Sequence, residues 1–105
     1  MKVAITSTGN TLESNIDSSF GRCSYFVIYD LITKSLEFLP NLNKHLEEGA
    51  GSASIQLLAS RTVVKIIAGE FGIKIKPLLD SLKIQMIVIK DTNKKIGEII
   101  EMLDH

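Results

Sequence analysis

Two short stretches, Val63-Val-Lys-Ile-Ile-Ala68 and Ile84-Gln-Met-Ile-Val-Ile89, are almost continuously apolar and rich in β-branched residues. Strands read this way when helices cover both faces of a parallel sheet, because neither face is left to water. Between the two runs Ile75, Leu78, Leu79 and Leu82 fall at i, i+3, i+4 and i+7, and Ile96, Ile99, Ile100 and Leu103 repeat that spacing after the second run. Both segments are amphipathic helices by this period. The first supplies the crossover that two parallel strands need. Pro77 lies within it, so the helix either begins near that residue or bends there. Val64, Ile66, Leu79, Ile87 and Val88 are assigned to the core on the same reasoning.

The N-terminal half supplies the rest of the sheet. Val3 and Ile5 alternate around Ala4 until the polar cluster 6–10 ends the run, which predicts a strand over 2–7. The aromatic and β-branched stretch 24–30 is followed at hairpin distance by an alternating stretch at 35–39, so these form an antiparallel pair with Asp30 at the turn. Apolar residues at 50, 53, 57 and 58 predict a helix ending near Arg61. The resulting order, β-β-β-α-β-α-β-α, gives an α/β fold with a mixed five-stranded sheet and helices on its faces, within one domain spanning 1–105.

Charge and cysteine content narrow the function. With 12 Lys+Arg against 12 Asp+Glu the net charge is zero, so no global field draws nucleic acid or an anionic membrane to the surface. The single cysteine, Cys23, excludes an intrachain disulfide, and no CxxC or HExxH spacing is present. The N-terminal apolar run is too short for a signal peptide or a membrane span. A reducing, cytoplasmic location is expected.

Three glycine-containing loops are candidates for binding. The first, 7–23, is long for a compact domain and carries Arg22 beside Cys23; a guanidinium next to a thiol favours the thiolate, a soft metal ligand. The same pair also reads as a small buried hydrophobe with Arg22 paired to a carboxylate such as Asp17. The second, Gly49-Ala-Gly-Ser52, lets backbone approach a ligand at a helix start that Ser52 can cap, and reads equally as a tight turn with a capping serine. The third holds Gly69 and Gly72 around Glu70 and Phe71, with Glu70 read as a charge at a helix N-terminus. In the proposed topology all three converge on one rim of the sheet, where open α/β sheets bind ligands. His45 and the last residue, His105, read as solvated, and Lys90, Lys94 and Lys95 as a solvated basic face.

The stretch Asp17-Ser-Ser-Phe-Gly-Arg-Cys-Ser-Tyr-Phe26 resembles the dinitrogenase iron-molybdenum cofactor biosynthesis family, whose members include carriers of nitrogenase assembly and small stand-alone proteins of anaerobes. The likeness runs the full length through Ser7, Gly9 and Leu12, the segment from Phe20 to Cys23, the turn from Gly49 to Gly51, and Ala68-Gly-Glu-Phe-Gly72. It implies a ribonuclease H-like three-layer fold. It also implies a nitrogenase accessory factor-like role: binding of iron-molybdenum cofactor, its precursor or another metal-sulfur cluster, with a cluster-assembly or acceptor protein as partner. The expected binding rim is Ser7, Gly9, Asn10, Ser19, Phe20, Gly21, Arg22, Gly49, Ala50, Gly51, Ser52 and Gly69, with Cys23 as the metal ligand. Two positions depart from the family pattern: Ser19 stands where nitrogenase-associated carriers have a histidine, and Ile73 where many relatives have a proline. A nuclease would need several carboxylates meeting at the sheet, and the first strand has none, so a binding protein rather than an enzyme is expected. The competing reading is a metal-free regulatory or adaptor module for an anionic metabolite or a protein partner.

Overall fold

The computed structural model describes residues 1–104 and contains a five-stranded sheet in the order β3-β2-β1-β4-β5. The strands are β1 (Lys2–Ser7), β2 (Tyr25–Asp30), β3 (Leu36–Pro40), β4 (Val63–Ala68) and β5 (Gln85–Val88), and the helices are α1 (Ala50–Ser60), α2 (Ile75–Ser81) and α3 (Ile96–Leu103). β1 pairs antiparallel with β2 and parallel with β4, and β5 extends the parallel half. The expected element order is therefore found, with boundaries displaced by a residue at most in the strands. His105 lies outside the described residues. No described helix is long and apolar enough to cross a membrane.

The helices divide the core in two. Ala4, Phe26, Ile28, Ile66 and Ala68 face α1 and α2, where Ile55, Leu58 and Leu79 meet them. Val3, Ile5, Val27 and Ile67 point the other way, against Ile96 and Ile99 of α3. The alternation of Ala4 with Ile5 and of Phe26 with Val27 is the two-residue period of a strand covered on both sides. The buried stripe of α1 is Ala50, Ser54, Ile55 and Leu58, rotated from the predicted 50, 53, 57 and 58 toward Ile55.

Two core assignments fail. Lys2 pairs with Val63 and Val3 with Lys65, so Val64 is the extra residue of a bulge and is 38% exposed. Val88 ends the edge strand β5, which has a neighbour on one side only, and is 46% exposed. Ile66 and Leu79 are fully buried, and Ile87 packs half-buried on the α3 side.

Local chemistry explains the remaining punctuation. The Asp30 carboxylate accepts the N–H groups of Ile32 (2.8 Å) and Thr33 (3.2 Å), which organise the hairpin turn and hold its pKa below the usual range. Pro77 occupies the third position of α2, inside the first turn, where backbone N–H groups have no intrahelical acceptor; the helix therefore starts two residues before it. The Lys95 N–H donates to Glu98 Oε1 (3.0 Å) at the start of α3, and its ammonium pairs with Glu13 at 2.9 Å.

Candidate functional site

The carboxyl ends of β1, β4 and β5, the start of β2 and the end of β3 share one rim, so the connecting segments 8–24, 41–49 and 69–74 meet there. The long 8–24 segment is divided between the two faces of the sheet. Its first part turns toward α3: the N–H of Ile16 donates to Lys94 O, that of Ile96 to Ser14 O and that of Gly97 to Leu12 O, each at 2.9 Å. Ser7 is buried on this path and its hydroxyl donates to Gly9 O at 2.7 Å. The backbone bonds to α3 carry Gly9 and Asn10 to the far side, away from the expected residues at α1, whereas the buried Ser7 stays at the end of β1, its backbone beside the Cys23 sulfur.

The second part turns toward α1. Gly69 N–H donates to Asp17 O (3.1 Å) and Phe20 N–H to Glu70 O (3.2 Å), so the chain runs alongside the end of β4 like an extra short strand. The Asp17 carboxylate accepts Ser19 N–H at 2.9 Å. Gly69 is buried beneath this crossing; a Cβ there would lie 2.5 Å from Ser18 Cα, which is why no side chain fits. Gly21 has φ +94° and faces α1 so closely that a Cβ would stand 3.0 Å from Gly51 Cα. These glycines serve contact between chain segments, and Gly21 and Gly69 do not line the cleft described below.

Arg22 and Cys23 point apart. The exposed Arg22 guanidinium donates from Nη1 to the carbonyls of Lys44 (2.9 Å) and Leu46 (2.6 Å) and from Nη2 to that of Glu47 (3.2 Å), and so clamps the 44–47 segment. It pairs neither with the thiol nor with Asp17. Cys23 is fully buried with Phe20, Phe26 and Leu58 in the α1/α2 core. Burial, reinforced by the Asp17 charge, pushes its thiol up to about 12. The thiolate rationale therefore fails: the charge that acts on the sulfur is negative, and the residue is closed off from solvent. Buried Asn41, not anticipated from the sequence, locks this corner by donating from Nδ2 to Gly21 O and Cys23 O, both at 2.9 Å.

Between these segments lies an open cleft of about 610 Å³, lined by Ser19, Phe20, Arg22, Glu47 to Gly51, Glu70, Gly72, Lys74 and Ile75. Of the expected residues it gathers Ser19, Phe20, Arg22, Gly49, Ala50 and Gly51. Phe20 is nearly buried and stacks on Phe71 with ring centroids 5.4 Å apart, which gives the cleft an aromatic base. Gly49 precedes α1 at φ 76°, a left-handed conformation, and no side chain caps the helix. Ser52 is inside α1 and exposed, not its cap. The first intrahelical bond runs from Ala53 N–H to Gly49 O (2.9 Å), so the preceding N–H groups stand free of the ladder at the positive helix end.

The remaining contributors were legible only in part. Glu47 and Glu48 immediately precede the glycine turn and Lys74 follows Gly72, so adjacency to the turns was the available signal. Glu70 is exposed on the cleft and α2 begins only at Ile75, so Glu70 is not a helix N-terminal charge. His45 is exposed and is not part of the lining. Among the described residues the polar groups on the lining are amide N–H groups, the Ser19 hydroxyl, one guanidinium, one ammonium and three carboxylates, with no thiol or imidazole. Among the described residues no three His, Cys, Asp or Glu side chains converge as a metal-holding group. The set suits an anion held through hydrogen bonds to its outer atoms and does not suit a metal ligated by soft protein donors.

The dinitrogenase iron-molybdenum cofactor family model matches residues 1–104. Among solved structures, the apo form of the orange protein from Desulfovibrio gigas is similar at 26% identity and a TM-score of 0.87, over 95% of this chain and 83% of that one. A NifB-like protein from Thermotoga is similar at 28% identity and a TM-score of 0.80, over 95% of this chain and 84% of that one. A dinitrogenase-type protein from Methanocaldococcus jannaschii shares the fold, at 22% identity and a TM-score of 0.60 over 98% of this chain and 90% of that one. Comparison with curated proteins gave no match.

Proposed function

The chain belongs to the dinitrogenase iron-molybdenum cofactor family, and from that membership and the shape of the cleft we propose that it carries an anionic metal-sulfur species as cargo. Family and structural likeness support an accessory role around the iron-molybdenum cofactor, and the cargo class is that cofactor, a precursor or a related cluster. The observation that carries the reading is the convergence of Ser19, Phe20 and Arg22 with the uncapped start of α1 in one cleft. Sulfide edges of the cargo accept N–H bonds from the 50–52 backbone, while Arg22 and Lys74 supply positive charge and Phe20 an apolar, polarisable floor. The cargo's metals keep their own ligands. The protein performs no bond chemistry in this role and hands the cargo to an acceptor protein in a reducing compartment.

Anaerobic incubation with tetrathiomolybdate, followed by gel filtration and elemental analysis, tests the reading. Wild type is expected to retain molybdenum, Lys74→Gln to lose most of it, and Cys23→Ser to keep it because the sulfur lies in the core. Retention by Lys74→Gln equal to wild type would move the site elsewhere. The lack of soft protein ligands also favours a second reading, a module for an organic anion. That reading gains if thiomolybdate fails to bind while a carboxylate or phosphate metabolite slows exchange of the 50–52 amides.

A further inference from the structure

The charge on the cleft walls carries a consequence for affinity. Two cations, Arg22 and Lys74, face three carboxylates, Glu47, Glu48 and Glu70, and all five side chains are exposed. The lining is one charge negative in a protein whose net charge is zero. The acidic pair is not a loose loop feature, because the three Arg22 bonds to the carbonyls of Lys44, Leu46 and Glu47 fix the segment that leads into it. Glu70 is fixed from the other side, where its carbonyl accepts the Phe20 N–H at 3.2 Å. Neither Glu47, Glu48 nor Glu70 has an ion pair in the structure among the described residues.

The geometry points to Glu47, Glu48 and Glu70 as residues that hold the cleft's affinity for anions low. This deepens the carrier reading and rests on it. An anion seated on the α1 amides and Lys74 also feels the facing carboxylates, and the opposition grows in proportion to the anion's charge. Attraction at the amide side grows with that charge as well, so the carboxylates lower the affinity of any seated anion and leave its binding reversible. The weakening is electrostatic and acts through solvent, so salt screens it within about 8–10 Å at physiological ionic strength.

The test uses the full chain and tetrathiomolybdate under anaerobic equilibrium dialysis, at low and at high ionic strength. Glu47→Gln/Glu48→Gln and Glu70→Gln preserve side-chain size on exposed positions, and circular dichroism with thermal unfolding verifies the fold of each. Each is expected to bind about 3- to 10-fold more tightly than wild type at low salt, the gain shrinking at high salt. Binding by the glutamine variants where wild type shows none supports the proposal equally. Wild-type binding that the substitutions leave unchanged or weaken overturns the proposal while sparing the carrier reading. Binding by none of the proteins overturns both.

Discussion

The α3 face and the α1/α2 face of the sheet are built on the same strands yet closed in different ways. On the α3 side every fully buried partner is an aliphatic residue, and backbone bonds from 12–16 to residues 94–97 seal the rim. On the other side the core admits Phe20, Phe26, Cys23, Ala4 and Ala68, and its rim is held by close backbone contact at Gly21 and by the clamps of Arg22 and Asn41. Branched aliphatics fill space and leave no opening. Small residues and planar rings permit chain segments to touch at the backbone while a cleft remains beside them. On the carrier reading proposed above, recognition falls to the rim of the α1/α2 face, while both faces supply fully buried side chains to stability.

The contrast breaks most visibly at Ile5, which is fully buried under α3. Ile5→Ala is expected to cost about 2–5 kcal/mol in urea unfolding through lost burial and a cavity, while the folded fraction still retains thiomolybdate. Loss of retention at full folding would show that the faces are not separable. Gly21→Ala is expected to do the reverse, costing about 1–3 kcal/mol from left-handed strain and the 3.0 Å approach to Gly51, with thiomolybdate retention falling further than stability.

Cys23 sharpens the same contrast through pH. Its thiol rises from an ordinary 9.0 to about 12 in the folded state, so the folded protein holds the proton that the unfolded chain releases. The neutral thiol's contribution is complete below about 9 and is lost as pH rises toward about 12, with a slope approaching 1.4 kcal/mol per pH unit, roughly, in that window. Cys23→Ala should remove that part of the alkaline slope, measured as the difference between the two proteins' unfolding free energies. Equal slopes would mean that solvent reaches the sulfur and that this corner of the α1/α2 core is open.

Element identity was legible because it rests on period. The apolar run at 63–68, the spacing of 96, 99, 100 and 103, and the hairpin with Asp30 at its turn each carry a local signature that tertiary packing reinforced. Val64 escaped because a bulge is a fact of register, set by the partner strand rather than by residue type. The division of 8–24 between two faces was not legible either, since both parts are polar and glycine-bearing and their direction is set by carbonyl and amide partners far along the chain. Of the cleft lining, Arg22 was singled out through its place beside Cys23, the 49–51 turn through its glycines, and Phe20 through the family resemblance. The orientation of Cys23 was not legible: the alternation of β2 would send it to the side of Val27, and the bend at Ser24 turns it to the side of Phe26 instead.

The contact of Gly21 with Gly51 also has a temporal meaning. The β2-β3 hairpin joins neighbours in the chain and closes quickly, whereas the parallel pairing of β1 with β4 must wait for the intervening hairpin and α1 to be placed. Gly21 precedes the hairpin and Gly51 begins the helix after it, so their meeting requires both events. A newly made chain is thus expected to close the hairpin and form α1 before the cleft between them exists.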